Sequence, residues 1–218
     1  MTRDRTVLVV IDAQRAFVDP EGSLMQVFGA DEIQPGVAAL GRLRAYLADR
    51  GDRGPTVFVR SEYRVGQFTN GDINHPLATL CVPGRNVDCE WANGLVVSPH
   101  QIIVTKHEAD AGESATFRSV IDEFVRAGTQ RIVMVGFQLT TCVQASALST
   151  QRMVRDRGAR VTVIEALSGV RASSLLPPGL SRVEATIRQL ESYGVAIVRP
   201  GEHEQAENLV TTQIRWVW

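Results

Sequence analysis

The segment 131–150, Arg-Ile-Val-Met-Val-Gly-Phe-Gln-Leu-Thr-Thr-Cys-Val-Gln-Ala-Ser-Ala-Leu-Ser-Thr, constrains this chain more than any other. Ile132 to Val135 form a short apolar run of the kind that fills a strand buried on both faces, and Gly136 ends it. Thr140 and Thr141 are N-cap candidates. After them Cys142, Val143, Ala145, Ala147 and Leu148 suit a helix with one face packed on a sheet. Cys142 is therefore expected in a first helical turn, where unpaired N–H groups and the positive end of the helix dipole favour a thiolate. Its ordinary alternative is a small buried hydrophobe.

The same alternation runs through the chain. Thr6 to Ile11 reads as a strand ending in Asp12, and Gly36 to Arg50 as a helix with Val37, Leu40, Leu43 and Leu47 on one face. Thr56 to Val59 and Gln101 to Thr105 are further strands, the latter followed by Lys106. Phe117 to Ala127 reads as a helix, Val161 to Ile164 as a strand, Ser181 to Tyr193 as a helix capped by Ser181, and Val195 to Val198 as a sixth strand. Apolar strands alternating with helices predict an α/β fold of three layers, a six-stranded parallel sheet covered on both faces. Its expected order is 3-2-1-4-5-6, that of a sheet wound outwards from the middle. All 218 residues, 44% of them hydrophobic, are expected to form one domain.

Residues 13–35 and 61–100 are too long for ordinary strand-to-helix connections. Both follow the C-terminal end of a strand, the edge where open α/β sheets bind ligands, so they are expected to wall a site. Phe17, Phe68, Trp91 and Phe137 could line a small apolar pocket, with Asp19, Glu62, Tyr63, Gln67, Asn70 and Asp72 as polar contacts. A packing excursion or a subunit contact is the plainer use of such loops. Asp12, Lys106 and Cys142 occupy equivalent places at strand ends, and the predicted order brings strands one and four together as neighbours. Asp12 and Cys142 would then face each other across the crevice, with Lys106 reaching in from strand three.

Composition narrows the partners. A net charge of −1, with no long run of Lys and Arg, gives no footprint for nucleic acid or an anionic membrane, so a small molecule is expected. The apolar run before Asp12 is too short for a signal peptide or a membrane span. Cys81, Cys89 and Cys142 contain no CxxC pair, which suits a reducing cytoplasm and argues against a disulfide framework or a zinc site.

Three separated motifs carry a resemblance. They are Val9-Val10-Ile11-Asp12-Ala13-Gln14 with Phe17 and Val18, then Lys106 with Ser114-Ala115-Thr116-Phe117, then Gly136-Phe137-Gln138-Leu139-Thr140-Thr141-Cys142-Val143. In order and spacing the chain from Val7 to about Val198 resembles the isochorismatase-like cysteine hydrolase superfamily, which includes nicotinamidases, N-carbamoylsarcosine amidase and ureidoacrylate amidase. The resemblance implies an Asp12-Lys106-Cys142 triad and a cis Phe137–Gln138 peptide, with the backbone N–H groups of Gln138 and Cys142 as the oxyanion hole. Leu139 stands where the family usually has Thr, and the acidic segment from Lys106 to Phe117 looks longer than usual. Nicotinamidases bind a metal through an Asp-x-His after strand two and further histidines, which Asp72-Ile73-Asn74-His75 does not reproduce; no metal and no cofactor are expected.

Members that hydrolyse the vinyl ether of isochorismate typically lack the Cys, so Cys142 points to an amide, carbamoyl or ureide C–N bond. Asp12 is expected as proton shuttle, and Lys106 is expected to lower the thiol pKa from about 8.5. Vinyl-ether hydrolysis, with Arg60 or Arg64 as anion anchors, and a non-catalytic binding role are the alternatives. The tail 205–218 ends in Ile214, Trp216, Val217 and Trp218, apolar surface that needs cover. A homo-oligomer, most simply a dimer or tetramer, is expected to use it.

Overall fold

The computed structural model describes residues 5–51, 53–98 and 100–200. The tail 205–218 lies outside the described residues. Six parallel strands, β1 (Thr6–Ile11), β2 (Thr56–Ser61), β3 (Ile102–Lys106), β4 (Arg131–Phe137), β5 (Arg160–Gly169) and β6 (Ala196–Val198), form one sheet in the order β3-β2-β1-β4-β5-β6. The predicted topology is the observed one.

Among the described residues six α-helices accompany the sheet: α1 (Arg15–Val18), α2 (Ser23–Phe28), α3 (Ala30–Arg50), α4 (Ala115–Arg126), α5 (Gln144–Val154) and α6 (Arg182–Ser192). Side chains alternate along a strand, so β1 feeds two cores. Val7, Val9 and Ile11 pack with Phe117 and Ile121 of α4, Ala147 of α5, and Ile187 and Leu190 of α6. Leu8 and Val10 pack on the opposite face with Ile33, Leu40 and Leu43 of α3. α3 is the one long helix on that face, and both long connections complete it, contributing Phe17, Leu24, Tyr63, Cys81 and Ala92 to the same core.

Those connections are stitched to each other. The buried Asp88 carboxylate accepts from the Ser23 N–H (2.9 Å) and hydroxyl (2.6 Å), from the Cys81 N–H (3.1 Å) and from Asn86 Nδ2 (3.1 Å). Arg15 pairs with Asp19 at 3.0 Å, with Glu90 at 2.9 Å and with Glu21. Ala92 N–H donates to the Ala13 carbonyl at 2.9 Å.

Several boundaries differ from the sequence reading. α3 begins at Ala30 rather than Gly36, running through Pro35. Proline leaves the carbonyl four residues earlier without its donor, and here that residue, Asp31, is exposed to water. β5 is longer than expected because its pairing with β4 jumps from Met134–Val163 to Gly136–Ser168, a bulge that carries extra residues. Gly136 lies inside β4 and does not end it. A Cβ there would sit 1.9 Å from the Ile11 carbonyl oxygen, at a φ of 123°, so only glycine lets β4 run so close to the end of β1. Ser181 caps α6 as expected, and Glu184 completes a capping box, an arrangement that stabilises by about 1 kcal/mol.

Candidate active site

β1, β3 and β4 deliver the three predicted residues to one place. Asp12 leaves β1 with a φ of 50°, its N–H held by the Val59 carbonyl at 2.8 Å. Lys106 is the last residue of β3, paired in register with Ser61 at the end of β2. Cys142 lies in a π-helical turn, Leu139–Val143, that leads directly into α5, and the Phe137–Gln138 peptide before it is cis. Thr140 and Thr141 do not cap, because the helical turn has already begun at Leu139 and encloses them.

Asp12 and Lys106 are 0% exposed and Cys142 is 6% exposed. Lys106 Nζ lies 2.9 Å from Asp12 Oδ2, and its hydrogen bonds run to Ser61 Oγ (2.8 Å), Tyr63 Oη (3.1 Å) and the Glu108 carbonyl (3.0 Å). Asp12 Oδ2 faces that ammonium, Oδ1 accepts from Ser61 Oγ at 2.9 Å, and the Cys142 thiol also hydrogen-bonds the carboxylate. Tyr63 Oη stands 3.9 Å from Cys142 Sγ.

Protonation departs from expectation. Burial pushes the Cys142 thiol up to about 11; Lys106 pulls it down, Asp12 adds to the rise by charge and by hydrogen bond, and Tyr63 opposes it. The resting sulfur is therefore a thiol, and the expected thiolate bias is corrected: desolvation outweighs the cation and the helix end. For Lys106 burial works downward, but Asp12 and then Cys142 reverse it, so the group sits above its ordinary value as a fixed ammonium.

The other sequence candidates separate. Tyr63 joins the cluster, and Phe68 stacks edge-on against it at 4.5 Å. Phe17 and Phe137 are buried in the α3-side core, and Trp91 packs edge-on against Phe58 at 5.7 Å. Asp19 is occupied by Arg15 and the Asn93 N–H. An open depression beside the cluster is lined by Glu62, Tyr63, Arg64, Pro83, His107 and Glu108. Arg60 is taken up by Glu62 at 2.8 Å. Asn70 and Asp72 belong to the turns of the loop, with Asp72 accepting from the Asn74 N–H at 2.9 Å.

Sequence reasoning passed over three residues. Ser61 bridges Asp12, Lys106 and Tyr63; its signal was a hydroxyl at the end of an apolar strand, the place Asp12 occupies on β1. Gln14 grips Ser61 by both backbone groups, accepting its N–H at 2.7 Å and donating to its carbonyl at 3.1 Å. Asp110, in the acidic segment, accepts from Ser149 Oγ of α5 at 2.7 Å, while the Ala111 N–H donates to Ser146 Oγ at 2.9 Å. That segment ties the end of β3 to the helix behind Cys142.

Asp, Lys and Cys gathered where the strand order reverses in a doubly wound sheet define an α/β protein with a cysteine-centred site. The chain belongs to the isochorismatase family: residues 6–194 match the isochorismatase domain. No curated protein matches the sequence. The fold is similar to that of the pyrazinamidase of Pyrococcus horikoshii in complex with zinc, at 18% identity and a TM-score of 0.66, covering 89% of this chain and 99% of that one. It is similar to an isochorismatase family protein from Desulfovibrio vulgaris, at 18% identity and a TM-score of 0.67, covering 93% and 98%. N-carbamoylsarcosine amidase from Thermoplasma acidophilum gives 19% identity and a TM-score of 0.60, covering 90% and 97%. At these identities the likeness carries the fold alone.

The zinc in the first of these raises the question of a metal here. Glu62, Tyr63 and Arg64 follow β2, and a guanidinium cannot act as a ligand. Among the described residues no three His, Cys, Asp or Glu side chains come together as a metal site. These residues do not fit a metal. Among the described residues, too, no helix is long and apolar enough to cross a membrane.

Proposed function

We propose that the protein is a cysteine-nucleophile hydrolase that cleaves a C–N bond of a small amide, carbamoyl or ureide substrate through a thioester. The observation that carries this reading is the buried Asp12 carboxylate, balanced by Lys106 at 2.9 Å and hydrogen-bonded by the Cys142 thiol. It is a ready acceptor for the thiol proton. Asp12 takes that proton as sulfur attacks the carbonyl carbon, and Lys106 holds the carboxyl in place throughout. The oxyanion of the tetrahedral intermediate is received by the N–H groups of Gln138 and Cys142. Among the described residues the Gln138 N–H donates to no backbone carbonyl, which suits that role. Collapse breaks the C–N bond, and the leaving nitrogen recovers the proton from Asp12. Water, deprotonated by Asp12, then attacks the thioester, releasing the acid and restoring the thiol.

The amidases that share the fold favour a C–N bond over a vinyl ether, and the engagement of Arg60 by Glu62 removes one of the two anchors a diacid would need. The test is ammonia release from a panel of primary amides and carbamoyl compounds, with isochorismate as a further substrate and Cys142→Ala as control. Release by the wild type and none by Cys142→Ala is the expected result. Turnover by Cys142→Ala within about tenfold of wild type would overturn the reading, since losing a covalent step removes far more.

A further inference from the structure

Two hydroxyls in the cluster have no part in the steps above. Ser61 is fully buried and Tyr63 nearly so. Ser61 Oγ lies 2.9 Å from Asp12 Oδ1 and 2.6 Å from Tyr63 Oη, both within donating reach, yet it has one proton to give. Its lone pair is already engaged by Lys106 at 2.8 Å. Tyr63 Oη receives from Lys106 at 3.1 Å, and Cys142 Sγ stands 3.9 Å away on its far side, where either atom can donate.

Consider where negative charge sits at the two ends of this chain. With Cys142 a thiol and Asp12 a carboxylate, Ser61 donates to Asp12. Once the thiol proton has passed to Asp12, the charge is on sulfur and Oδ1 belongs to a neutral acid. Ser61 then serves better by turning its proton to Tyr63, which frees Tyr63 to donate to the sulfur. We propose that Ser61 and Tyr63 form a two-hydroxyl relay that shifts one hydrogen-bond donation from Asp12 to Cys142 as the thiol proton moves the opposite way. No proton crosses the relay; two O–H bonds rotate, and each charge state keeps a donor.

The surroundings fit this use. Burial, reinforced by Asp12 and Cys142, pushes the Tyr63 phenol far up, so it remains a donor and never competes with Asp12 as a base. Both groups are held from outside the cluster: Ser61 by Gln14, and Tyr63 by its N–H to the Cys81 carbonyl (2.8 Å) and by the Phe68 ring. The 3.9 Å reach to sulfur is long for a thiol partner, as catalytic hydrogen bonds often are before charge develops. Tyr63 touches a reacting atom and is a catalytic residue in this scheme; Ser61 acts through it and is a positioning residue.

The inference rests on Cys142 being the nucleophile, and one experiment separates the two. Full-length wild type, Tyr63→Phe, Ser61→Ala and the double variant are alkylated with iodoacetamide across pH 6 to 11. Labelling of each cysteine is followed by peptide mass spectrometry, and melting curves confirm folding. For Tyr63→Phe the expected result is about tenfold slower labelling of Cys142 at pH 8 and a profile moved to higher pH, with Cys81 and Cys89 unchanged, as for loss of a hydrogen bond to a charged group. Ser61→Ala shifts the profile the same way by less and carries the test alone if Tyr63→Phe does not fold. The double variant matches Tyr63→Phe, because removing the second hydroxyl of a series adds nothing. A Tyr63→Phe profile superimposed on wild type, or strictly additive effects, overturns the relay. Hydrolysis by Cys142→Ala, assayed alongside, within about tenfold of wild type would instead sink the nucleophile reading.

Discussion

Asp12 and Asp88 are both 0% exposed, and they show two ways a fold can keep a carboxylate in its interior. Asp88 is surrounded by donors: two from Ser23, one from Cys81 and one from Asn86 hold its carboxylate, and the result joins two loops. Asp12 has a full counter-charge in Lys106 and is hydrogen-bonded by the Ser61 hydroxyl and the Cys142 thiol. Burying a carboxylate is tolerable by either route. Only the second has beside it a thiol whose proton the carboxylate can take. Burial does not separate a reactive acid from a structural one; the chemistry of the groups around it does.

That contrast can be broken by exchanging the consequences of mutation. Asp12→Asn should lower hydrolysis by about 10³-fold, within the range for loss of a general acid–base, while leaving the melting temperature nearly unchanged. Retained activity would make Asp12 another Asp88. Asp88→Ala should do the reverse: urea unfolding should show about 3 kcal/mol of lost stability from the donors left unpaired, with alkylation of Cys142 slowed less than threefold. A variant as stable as wild type would mean the loops are held by other bonds. Lys106→Met should slow Cys142 alkylation at pH 8 about tenfold, since the cation is the largest influence lowering the thiol's pKa.

The smallest effect is a dependence of stability on pH. Cys142 has a folded value near 11 against an ordinary value of 9, so the folded state binds the proton more tightly. The stability this contributes is complete below pH 9 and is lost as pH rises towards 11, by up to about 3 kcal/mol. Cys142→Ala should therefore show a shallower decline over that window in chemical denaturation. An identical decline would place the pH dependence in Cys81 and Cys89, whose thiols burial also raises.

The contrast also explains what could be read from the sequence. β1 was legible to the residue because five apolar side chains after Thr6, ending in an Asp, leave little choice, and the sheet order followed from reading the alternation as a doubly wound sheet. Asp12, Lys106 and Cys142 were legible because strand ends are positions that can be counted. Ser61, Gln14 and Asp88 were not. Their roles depend on partners up to 74 residues away, and no local pattern distinguishes a hydroxyl that bridges three groups from one that ends a strand. The start of α3 was misplaced because proline normally signals a boundary, whereas here the carbonyl it strands faces water. The thiol's protonation was misjudged because sequence reveals a nearby cation and a helix end but not complete desolvation, and desolvation is the larger effect.

The raised Cys142 thiol has a consequence for the protein's lifetime in air. Peroxides attack thiolates rather than thiols, and a sulfenic acid formed at this sulfur would end turnover until it was reduced. A sulfur that ionises near pH 11 is overwhelmingly protonated in a neutral cell, and it is sealed among Asp12, Tyr63 and Lys106. Attack requires the proton to move to Asp12, a transfer that an electrophilic carbonyl lodged against the sulfur rewards and a passing oxidant scarcely does. The chemistry is thus dormant between turnovers, and its safety comes from the same burial that slows the empty site.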